Sequence, residues 1–321
     1  MKKNIIIISG DPNSINSELI FKSYIKLSNK DKKKIYLITN FDLFKAQLSQ
    51  LNYSLNLIKV NNFKKNINSN ALKIINVDLN FKNAFNVKKA DATRFVKESL
   101  NLAHNFGLKK NVSGIVNCAI DKKLLDKKYL GVTEYFASKC RVKKDTEVML
   151  IYNENLSVSP ITTHINLKNV SKNITSKIII SKILTINKQF KKIFDKKPKI
   201  GLLGLNPHND EYRPNSEEIV KIIPALRKLK KLKISVGGPL IADTVFVKDF
   251  SKYDVLVGMY HDQVLAPFKA LYKFNALNVT LGLKYLRLSP DHGTATNLIG
   301  KNKANPTSLI KCINFLNSFK K

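Results

Sequence analysis

Short apolar runs rich in β-branched residues alternate along the chain with longer amphipathic stretches. In the first part, NIIIISG and KIYLIT predict two strands, and the segment NSELIFKSYIKLS between them predicts a helix capped by Ser14 or Asn16. Strands that alternate with helices are typical of a largely parallel sheet covered by helices. The pattern therefore predicts an α/β protein.

The second half of the chain continues this alternation. The runs KPKIGLLGL (197–205), KISV (233–236) and DVLVGM (254–259) predict strands, and a helix is predicted to begin near Asn215. This helix carries Glu217 and Glu218 in its first turn and apolar residues at helical spacing, namely Ile219, Ile222, Ile223, Leu226 and Leu229.

One segment departs from the alternation. In EVMLIYNENLSVSPITTHI (147–165), two apolar runs flank a polar Asn-Glu-Asn tip, which predicts an antiparallel hairpin. The chain has 321 residues, enough for one large domain or two smaller ones. We expect two joined α/β lobes, the first formed by residues 1–130 with about 290–321, and the second by residues 131–289.

The charge of the chain is strongly positive, with 56 Lys and Arg against 23 Asp and Glu, a net charge of +33. Such a surface attracts nucleic acid or anionic lipid and steers anionic substrates. The lysines are spread along the whole chain, however, and no basic block is interleaved with aromatic residues. We therefore expect no specific nucleic-acid partner, and keep a basic nucleic-acid-binding protein as the alternative from another class.

Cysteine usage and hydropathy indicate the compartment. Cys118, Cys140 and Cys312 are widely spaced and form no C-x-x-C motif, which favours a reducing compartment over a disulfide framework. The opening MKKNIIIISGDP has too short an apolar run for a signal peptide, and no stretch approaches eighteen apolar residues. We expect a cytoplasmic protein that does not interact with membranes.

Three of the five histidines occupy similar positions in the predicted sheet. His164 in TTHINL, His208 in LNPHND and His261 in MYHDQ each lie at or just beyond the carboxyl end of a strand-like run. Ligands of open α/β sheets bind at these strand ends, so the three imidazoles can converge in one crevice. Three imidazoles with open coordination positions suit a catalytic divalent metal, most naturally zinc, with Asp262 available to orient His261.

The alternative for each of these histidines is a structural role. A single histidine at a strand end is more often a hydrogen-bonded structural residue than a ligand, and the pattern alone leaves both interpretations open. His104, in the helical segment ESLNLAHNFGL, is interpreted as an ordinary helix residue.

Groups suited to an anionic substrate lie near the histidine segments. Lys269 and Asn278 follow His261, and Arg287, informative because Arg is scarce here, precedes SPDHGTA. The segment 291–306 contains two glycines and predicts a loop whose backbone a ligand can approach closely. No G-x-G-x-x-G motif supports a Rossmann dinucleotide site.

These segments, in this order, resemble the 4-hydroxythreonine-4-phosphate dehydrogenase family of pyridoxal phosphate biosynthesis. The resemblance runs nearly end to end and is dense in the C-terminal half. It is carried by GDP (10–12), TEYFA (133–137), VMLI with TTHINLKNV, GLNPHNDE, GGPLIADTVF, YDVLVGMYHDQVLAPFK and NVTLGLKYLRLSPDHGTA.

The resemblance implies a fold like that of the isocitrate and isopropylmalate dehydrogenases, working as a homodimer with the active site at the interface. It implies that His164, His208 and His261 bind the metal, which is zinc or else magnesium or cobalt, with one ligand supplied across the interface. It implies substrate contacts at position 132 and from Thr133, Lys269, Asn278 and Arg287. The cofactor, NAD or NADP, is implied to bind the 291–306 loop through His292, Gly293, Thr294, Ala295 and Asn305.

The implied reaction oxidises the C3 hydroxyl of 4-phosphooxy-L-threonine by hydride transfer to NAD. The resulting β-keto acid then loses carbon dioxide to give 3-amino-2-oxopropyl phosphate. The catalytic candidates are Asp243, Asp262 and Lys269: either aspartate could accept the proton or only orient a histidine, while Lys269 neutralises the phosphate.

The chain departs from the family pattern in two places. The family usually has Gly-His-Thr-Glu-Tyr where this chain has GVTEY (131–135), so Val132 replaces a histidine that contacts the substrate. Ser14 and Asn16 stand where glycines are usual in the N-terminal loop. A neighbouring substrate, 4-phospho-threonate or 4-phospho-erythronate, therefore remains the alternative within the same fold.

Overall fold

The computed structural model describes residues 3–63, 71–126, 128–129, 131–143, 146–273 and 275–319. The chain divides into two compact units. Unit 1 comprises Met1–Lys139 and Lys284–Lys321, and unit 2 comprises Cys140–Leu283.

The strands and helices alternate along most of the chain. The strands are β1 Asn4–Ile8, β2 Ile35–Thr39, β3 Leu57–Lys59, β4 Leu72–Asn76, β5 Val112–Asn117, β6 Val148–Tyr152, β7 Ser157–Pro160, β8 Ile200–Leu203, β9 Val236–Leu240, β10 Val255–Gly258, β11 Leu277–Leu281 and β12 Arg287–Pro290. The helices are α1 Asn16–Lys26, α2 Asn29–Lys32, α3 Phe41–Gln50, α4 Lys89–Gly107, α5 Val132–Lys139, α6 Val170–Asn173, α7 Ser176–Phe194, α8 Ile223–Lys231, α9 Ala242–Lys248, α10 His261–Tyr272 and α11 Thr307–Ser318.

The strands of unit 1 are parallel and follow the order β3-β4-β2-β1-β5-β12. Helix α4 packs on β1, β2 and β5, and α11 packs on β5 and β12. The central strand β1 is a continuous isoleucine run, Ile5 to Ile8, and each of these side chains is at most 3% exposed. A strand buried on both faces requires such an unbroken apolar run.

The strands of unit 2 follow the order β11-β6-β7-β10-β8-β9. Strand β6 is antiparallel to both β11 and β7, whereas β7, β10, β8 and β9 are mutually parallel. The predicted hairpin at 147–165 is therefore confirmed as β6 and β7, as is the α/β class with mostly parallel strands. Helix α10 packs on β7 and β10 and buries Val264 and Phe268 in their core.

Two local predictions are wrong. The strand predicted at 233–236 lies further along the chain, because Lys233 is left-handed (φ 56°) and the N–H of Ile234 bonds back to Leu229, which closes α8. Helix α1 is capped by Ile15 rather than by Ser14 or Asn16.

Among the described residues, no helix is both long and apolar enough to cross a membrane.

Lys73 on β4 carries a buried charge in unit 1. Lys73 is 2% exposed. Its Nζ donates to the carbonyl oxygen of Lys33 at 2.8 Å and lies 4.8 Å from the centre of the Tyr36 ring. Burial lowers the pKa of Lys73 to about 8. Lys73 is therefore still charged at pH 7, and folding removes that charge from water.

We expect Lys73→Met to raise the free energy of unfolding at pH 7 by about 1–2 kcal/mol. Because the folded pKa is depressed, the unfolded chain binds more protons between about pH 8 and the unfolded lysine pKa of about 10.4. The wild type should therefore gain stability as the pH rises through this window, and the advantage of the variant should shrink. Thermal unfolding of both proteins from pH 7 to pH 10 measures this change in stability, and Lys45→Met, at an exposed lysine, is the control. A stability difference between Lys73→Met and wild type that stays constant from pH 7 to pH 10 would contradict the prediction.

Candidate active site

The three predicted metal ligands follow three neighbouring parallel strands of unit 2. His164 comes after β7, which ends at Pro160, His208 after β8, which ends at Leu203, and His261 after β10, which ends at Gly258. Strand β10 lies between β7 and β8 and pairs with both in parallel. All three histidines are therefore delivered to the carboxyl edge of this part of the sheet, where ligands of α/β proteins bind.

Two of these imidazoles lie close together. The ring centres of His164 and His261 are 5.9 Å apart. His261 donates from Nδ1 to Asp262 Oδ1 over 2.6 Å. A carboxylate on Nδ1 fixes the tautomer that leaves Nε2 as an electron-pair donor, which is the usual arrangement of a metal-binding histidine.

His208 begins a left-handed turn. Residues 208–212 all have φ between 48° and 59°, and none of them is glycine. A left-handed conformation costs an L-residue about 1–2 kcal/mol, so five in a row persist only where surrounding contacts enforce them. Asn209, 2% exposed, supplies one such contact by donating from Nδ2 to the carbonyl oxygen of Pro239 at 3.2 Å.

A buried carboxylate orders the segment that leads into this turn. Glu218 is 0% exposed, and its Oε1 accepts from the N–H groups of Leu205 at 2.7 Å and Asn206 at 2.9 Å. Gln263 joins the ends of β8 and β10, since it donates to Gly204 O at 2.8 Å and accepts from Met259 N–H at 2.7 Å. Sequence reasoning noted Glu218 only as a helix-start residue and missed Gln263, although both lie beside the histidine motifs.

The donor set fits a divalent metal in its chemistry, since imidazoles at the edge of a sheet are typical ligands of zinc and related ions. In the described part of the chain, however, no group of three or more His, Cys, Asp or Glu side chains is arranged to hold a metal ion. Within the described part of one chain, His164 and His261 therefore lie close together, but His208 does not join them in a group arranged to hold a metal ion.

The other predicted residues of unit 2 are Lys269 on α10, Asn278 on β11 and Asp243 on α9. Lys269 is two turns beyond His261 on α10, which places the two Cα atoms about 12 Å apart along the helix axis. Asn278 of β11 pairs with Ile151 of β6, and the Oδ1 of Asn278 is buried without a hydrogen-bond partner among the described residues. Asp243 is exposed in the first turn of α9.

In unit 1 the structure brings Arg287 and Thr133 together. Arg287 is 3% exposed and donates from Nη1 to Thr133 Oγ1 at 3.2 Å and from Nε to Asn117 Oδ1 at 2.5 Å. Burial lowers the pKa of Arg287 to about 10, so the guanidinium stays protonated at neutral pH. Val132 is the residue before Thr133 and begins α5.

Asn117 is a polar residue that sequence reasoning missed. It is 3% exposed and ends the apolar strand β5. Its position at the carboxyl end of a buried strand, as with the three histidines, was the available signal. The Asn117 side chain accepts from Nε of Arg287 and so holds the guanidinium in one orientation beside Thr133.

The 291–306 loop combines exposed glycines with a half-buried histidine. Gly293 and Gly300 are both exposed. His292 donates from Nδ1 to Gly293 O over 3.0 Å, and its Nε2 is buried with no hydrogen-bond partner in the described residues. Burial lowers the pKa of His292. Thr294 accepts through its carbonyl oxygen from the N–H of Ile15, and Asn305 Oδ1 accepts from the N–H of Thr307.

Comparison with known proteins identifies the family. The family model described as "Pyridoxal phosphate biosynthetic protein PdxA" matches residues 31–316. The chain belongs to the PdxA family.

Relatives of the PdxA family match this chain over nearly its whole length. The 4-hydroxythreonine-4-phosphate dehydrogenase of Aquifex aeolicus is 37% identical over 330 residues, 98% of each chain. The enzyme of the same name from a Sulfurihydrogenibium species is 35% identical over 314 residues, 96% of each chain. The crystal structure of the Klebsiella pneumoniae 4-hydroxythreonine-4-phosphate dehydrogenase superimposes with a TM-score of 0.86 at 26% identity, covering 98% of both chains.

Proposed function

We propose that this PdxA-family protein oxidises 4-phosphooxy-L-threonine at C3 with NAD or NADP, and that decarboxylation then gives 3-amino-2-oxopropyl phosphate. The observation that carries the proposal is the placement of His164, His208 and His261 after three adjacent parallel strands. The names of the relatives support the substrate and the oxidoreductase class.

We assign the metal to His164, His208 and His261. A divalent metal, zinc or else magnesium or cobalt, supplies a Lewis acid beside the hydroxyl that is oxidised. Because the described part of one chain holds no finished group of three ligands, the assignment includes a homodimer in which the site is completed at the subunit interface. Asp262 holds the ring of His261 through Nδ1.

The phosphorylated substrate is assigned to Arg287, Thr133, Lys269 and Asn278. Arg287 offers a fixed cation. The Oδ1 of Asn278, buried and without a partner in the described part of the chain, is an acceptor for a substrate N–H or O–H. Lys269 adds a second positive charge for the phosphate. Asp262 and Asp243 remain the two candidates for accepting the proton of the C3 hydroxyl; Asp262 already accepts from His261, and Asp243 is exposed.

The cofactor is assigned to the 291–306 loop. The Nε2 of His292, buried and without a hydrogen-bond partner among the described residues, provides an acceptor for an adenine amino group. The exposed Gly293 and the half-buried Thr294 and Ala295 provide room for the ribose, with Asn305 at the end of the loop. We place the reaction in the cytoplasm, which is consistent with Cys118, Cys140 and Cys312 being free buried thiols.

A second substrate remains a specific candidate because of Val132. Valine neither donates a hydrogen bond nor carries a charge, so the contact expected from a family histidine is missing. The same site could therefore act on 4-phospho-threonate or 4-phospho-erythronate, which share the phosphate but lack the amino group.

The test is an assay of the purified protein with zinc, NAD and 4-phosphooxy-L-threonine. We expect NADH to form, with NADP tested in parallel. Turnover of 4-phospho-threonate or 4-phospho-erythronate without turnover of the amino acid would replace the substrate assignment. The absence of NADH from all three substrates, together with salt-dependent binding of DNA or RNA at physiological ionic strength, would favour the nucleic-acid alternative.

A further inference from the structure

Two charged side chains of α1, Glu18 and Lys22, bind the backbone of the loop segment 302–304. Lys22 Nζ donates to the carbonyl oxygens of Asn302 at 2.9 Å and Ala304 at 3.3 Å. Glu18 Oε1 accepts from the N–H of Ala304 at 2.9 Å and from Lys22 Nζ at 2.6 Å. We call this set of four bonds the Glu18–Lys22 clasp.

The clasp is largely removed from water. The side chain of Glu18 is 1% exposed and that of Lys22 is 19% exposed. An exposed ion pair contributes little because solvent screens it, whereas a buried pair is costly to break, since the remaining partner becomes an uncompensated charge. Glu18 Oε2 is buried without a hydrogen-bond partner among the described residues, so the carboxylate depends on the contacts of Oε1.

The same loop is attached to the rest of unit 1 at two further points. Near its start, the N–H of Ile15 donates to the carbonyl oxygen of Thr294 at 3.1 Å. Near its end, the hydroxyl of Tyr53 donates to Asn302 Oδ1 at 2.6 Å, and the Tyr53 ring stacks on Phe21 of α1. The loop is therefore fastened at both ends, mainly by α1.

Between these attachments the loop is open at Gly300, where an added Cβ atom would meet no atom within 4 Å beyond its chain neighbours. The same holds at Gly293, which lies just before the first attachment. Fixed ends with an open middle are what a loop needs if it is to receive a ligand without first being ordered by it.

We propose that the Glu18–Lys22 clasp orders the 291–306 loop before the cofactor arrives and thereby sets the affinity for the adenosine half of the dinucleotide. This inference rests on the proposed function, in which this loop binds NAD or NADP. A loop that is already ordered loses less conformational entropy on binding, so the same contacts give tighter binding. Glu18 and Lys22 act as positioning residues through the loop backbone.

The experiment compares Glu18→Gln, Lys22→Met and the double variant with the wild type. Lys26→Met is the matched control, because Lys26 is an exposed lysine at the end of the same helix. Hydrogen exchange of the ligand-free protein measures the order of residues 298–306, and calorimetry measures the dissociation constants of NAD and NADP. Steady-state kinetics separates KM for the cofactor from kcat and from KM for the phosphorylated substrate.

We expect Lys22→Met to lose protection in residues 298–306 and to raise the dissociation constant and KM for the cofactor at least tenfold. The value of kcat and the KM for the phosphorylated substrate should stay within about twofold of wild type, and Lys26→Met should change nothing. The double variant lacks the buried uncompensated charge and should fold stably while keeping the weak cofactor binding.

Three results would overturn the inference. If the loop of the double variant keeps full protection from hydrogen exchange, the clasp does not order the loop. If a variant loses this protection but binds the cofactor with wild-type affinity, the order of the loop does not set the affinity. Failure of the wild type to bind either dinucleotide overturns the cofactor assignment as well, while the exchange data still decide separately whether the clasp orders the loop.

Discussion

Replacing His208 by alanine is expected to abolish retention of the divalent metal and to lower kcat/KM more than a hundredfold. An imidazole ligand contributes directly to metal affinity, and even residues that only orient such ligands contribute about tenfold to a hundredfold. The protein should remain folded, because His208 is exposed and its imidazole takes part in none of the hydrogen bonds that hold the turn.

Metal analysis beside circular dichroism tests this expectation. His104→Ala is the control, since His104 lies on α4 with Nδ1 2.9 Å from the Tyr285 hydroxyl and has no assigned role in metal binding. Wild-type metal content in the His208 variant would remove this residue from the ligand set. Loss of metal in the His104 variant as well would show that the readout follows folding rather than ligation.

Replacing Arg287 by lysine is expected to raise KM for the phosphorylated substrate roughly tenfold to a hundredfold, the cost of losing a charge-assisted hydrogen bond. Lysine keeps the charge but has no planar fork, so its single nitrogen cannot take the places of both Nε and Nη1, which donate to Asn117 Oδ1 and Thr133 Oγ1 in the wild type. The cation would no longer be held in one orientation.

Steady-state kinetics with both substrates measures this effect. KM for the dinucleotide should change little, because Arg287 is assigned to the phosphorylated substrate. Arg227→Lys on the exposed face of α8 is the matched control and should behave as wild type. An unchanged KM for the phosphorylated substrate in the Arg287 variant would contradict the assignment.

The sequence predicted the fold well where periodicity and burial act together. The isoleucine run of β1 and the hairpin of β6 and β7 were found because burial on both faces, or a polar tip between two apolar runs, leaves a local pattern. It failed for β9, Val236–Leu240, because Gly237, Gly238 and Pro239 have low strand propensity. Such a strand forms at the edge of a sheet, where a missing N–H is tolerated.

The sequence also placed three histidines after strands, but it could not show how far each imidazole lies from the others. That distance depends on backbone geometry, above all on the left-handed turn at 208–212. His, Asn and Asp tolerate positive φ as single residues, but nothing in the sequence signals five such residues in a row without a glycine. The roles of Asn117 and Glu218 were missed for a related reason. Their partners, Arg287 and the N–H of Leu205, are distant in sequence or part of the backbone.

Strand β3 lies at one end of the strand order in unit 1 and β9 at one end of that in unit 2, and both bear on how this isoleucine-rich chain avoids aggregation. Strand β3 has only three residues and ends at Lys59, and β9 contains Pro239, which has no N–H to offer a further strand. Short length, a charge and a proline are devices that discourage the addition of foreign strands to an open edge. Extending β3 would thus endanger solubility at high concentration before it affected catalysis, because β3 carries no residue of the proposed site.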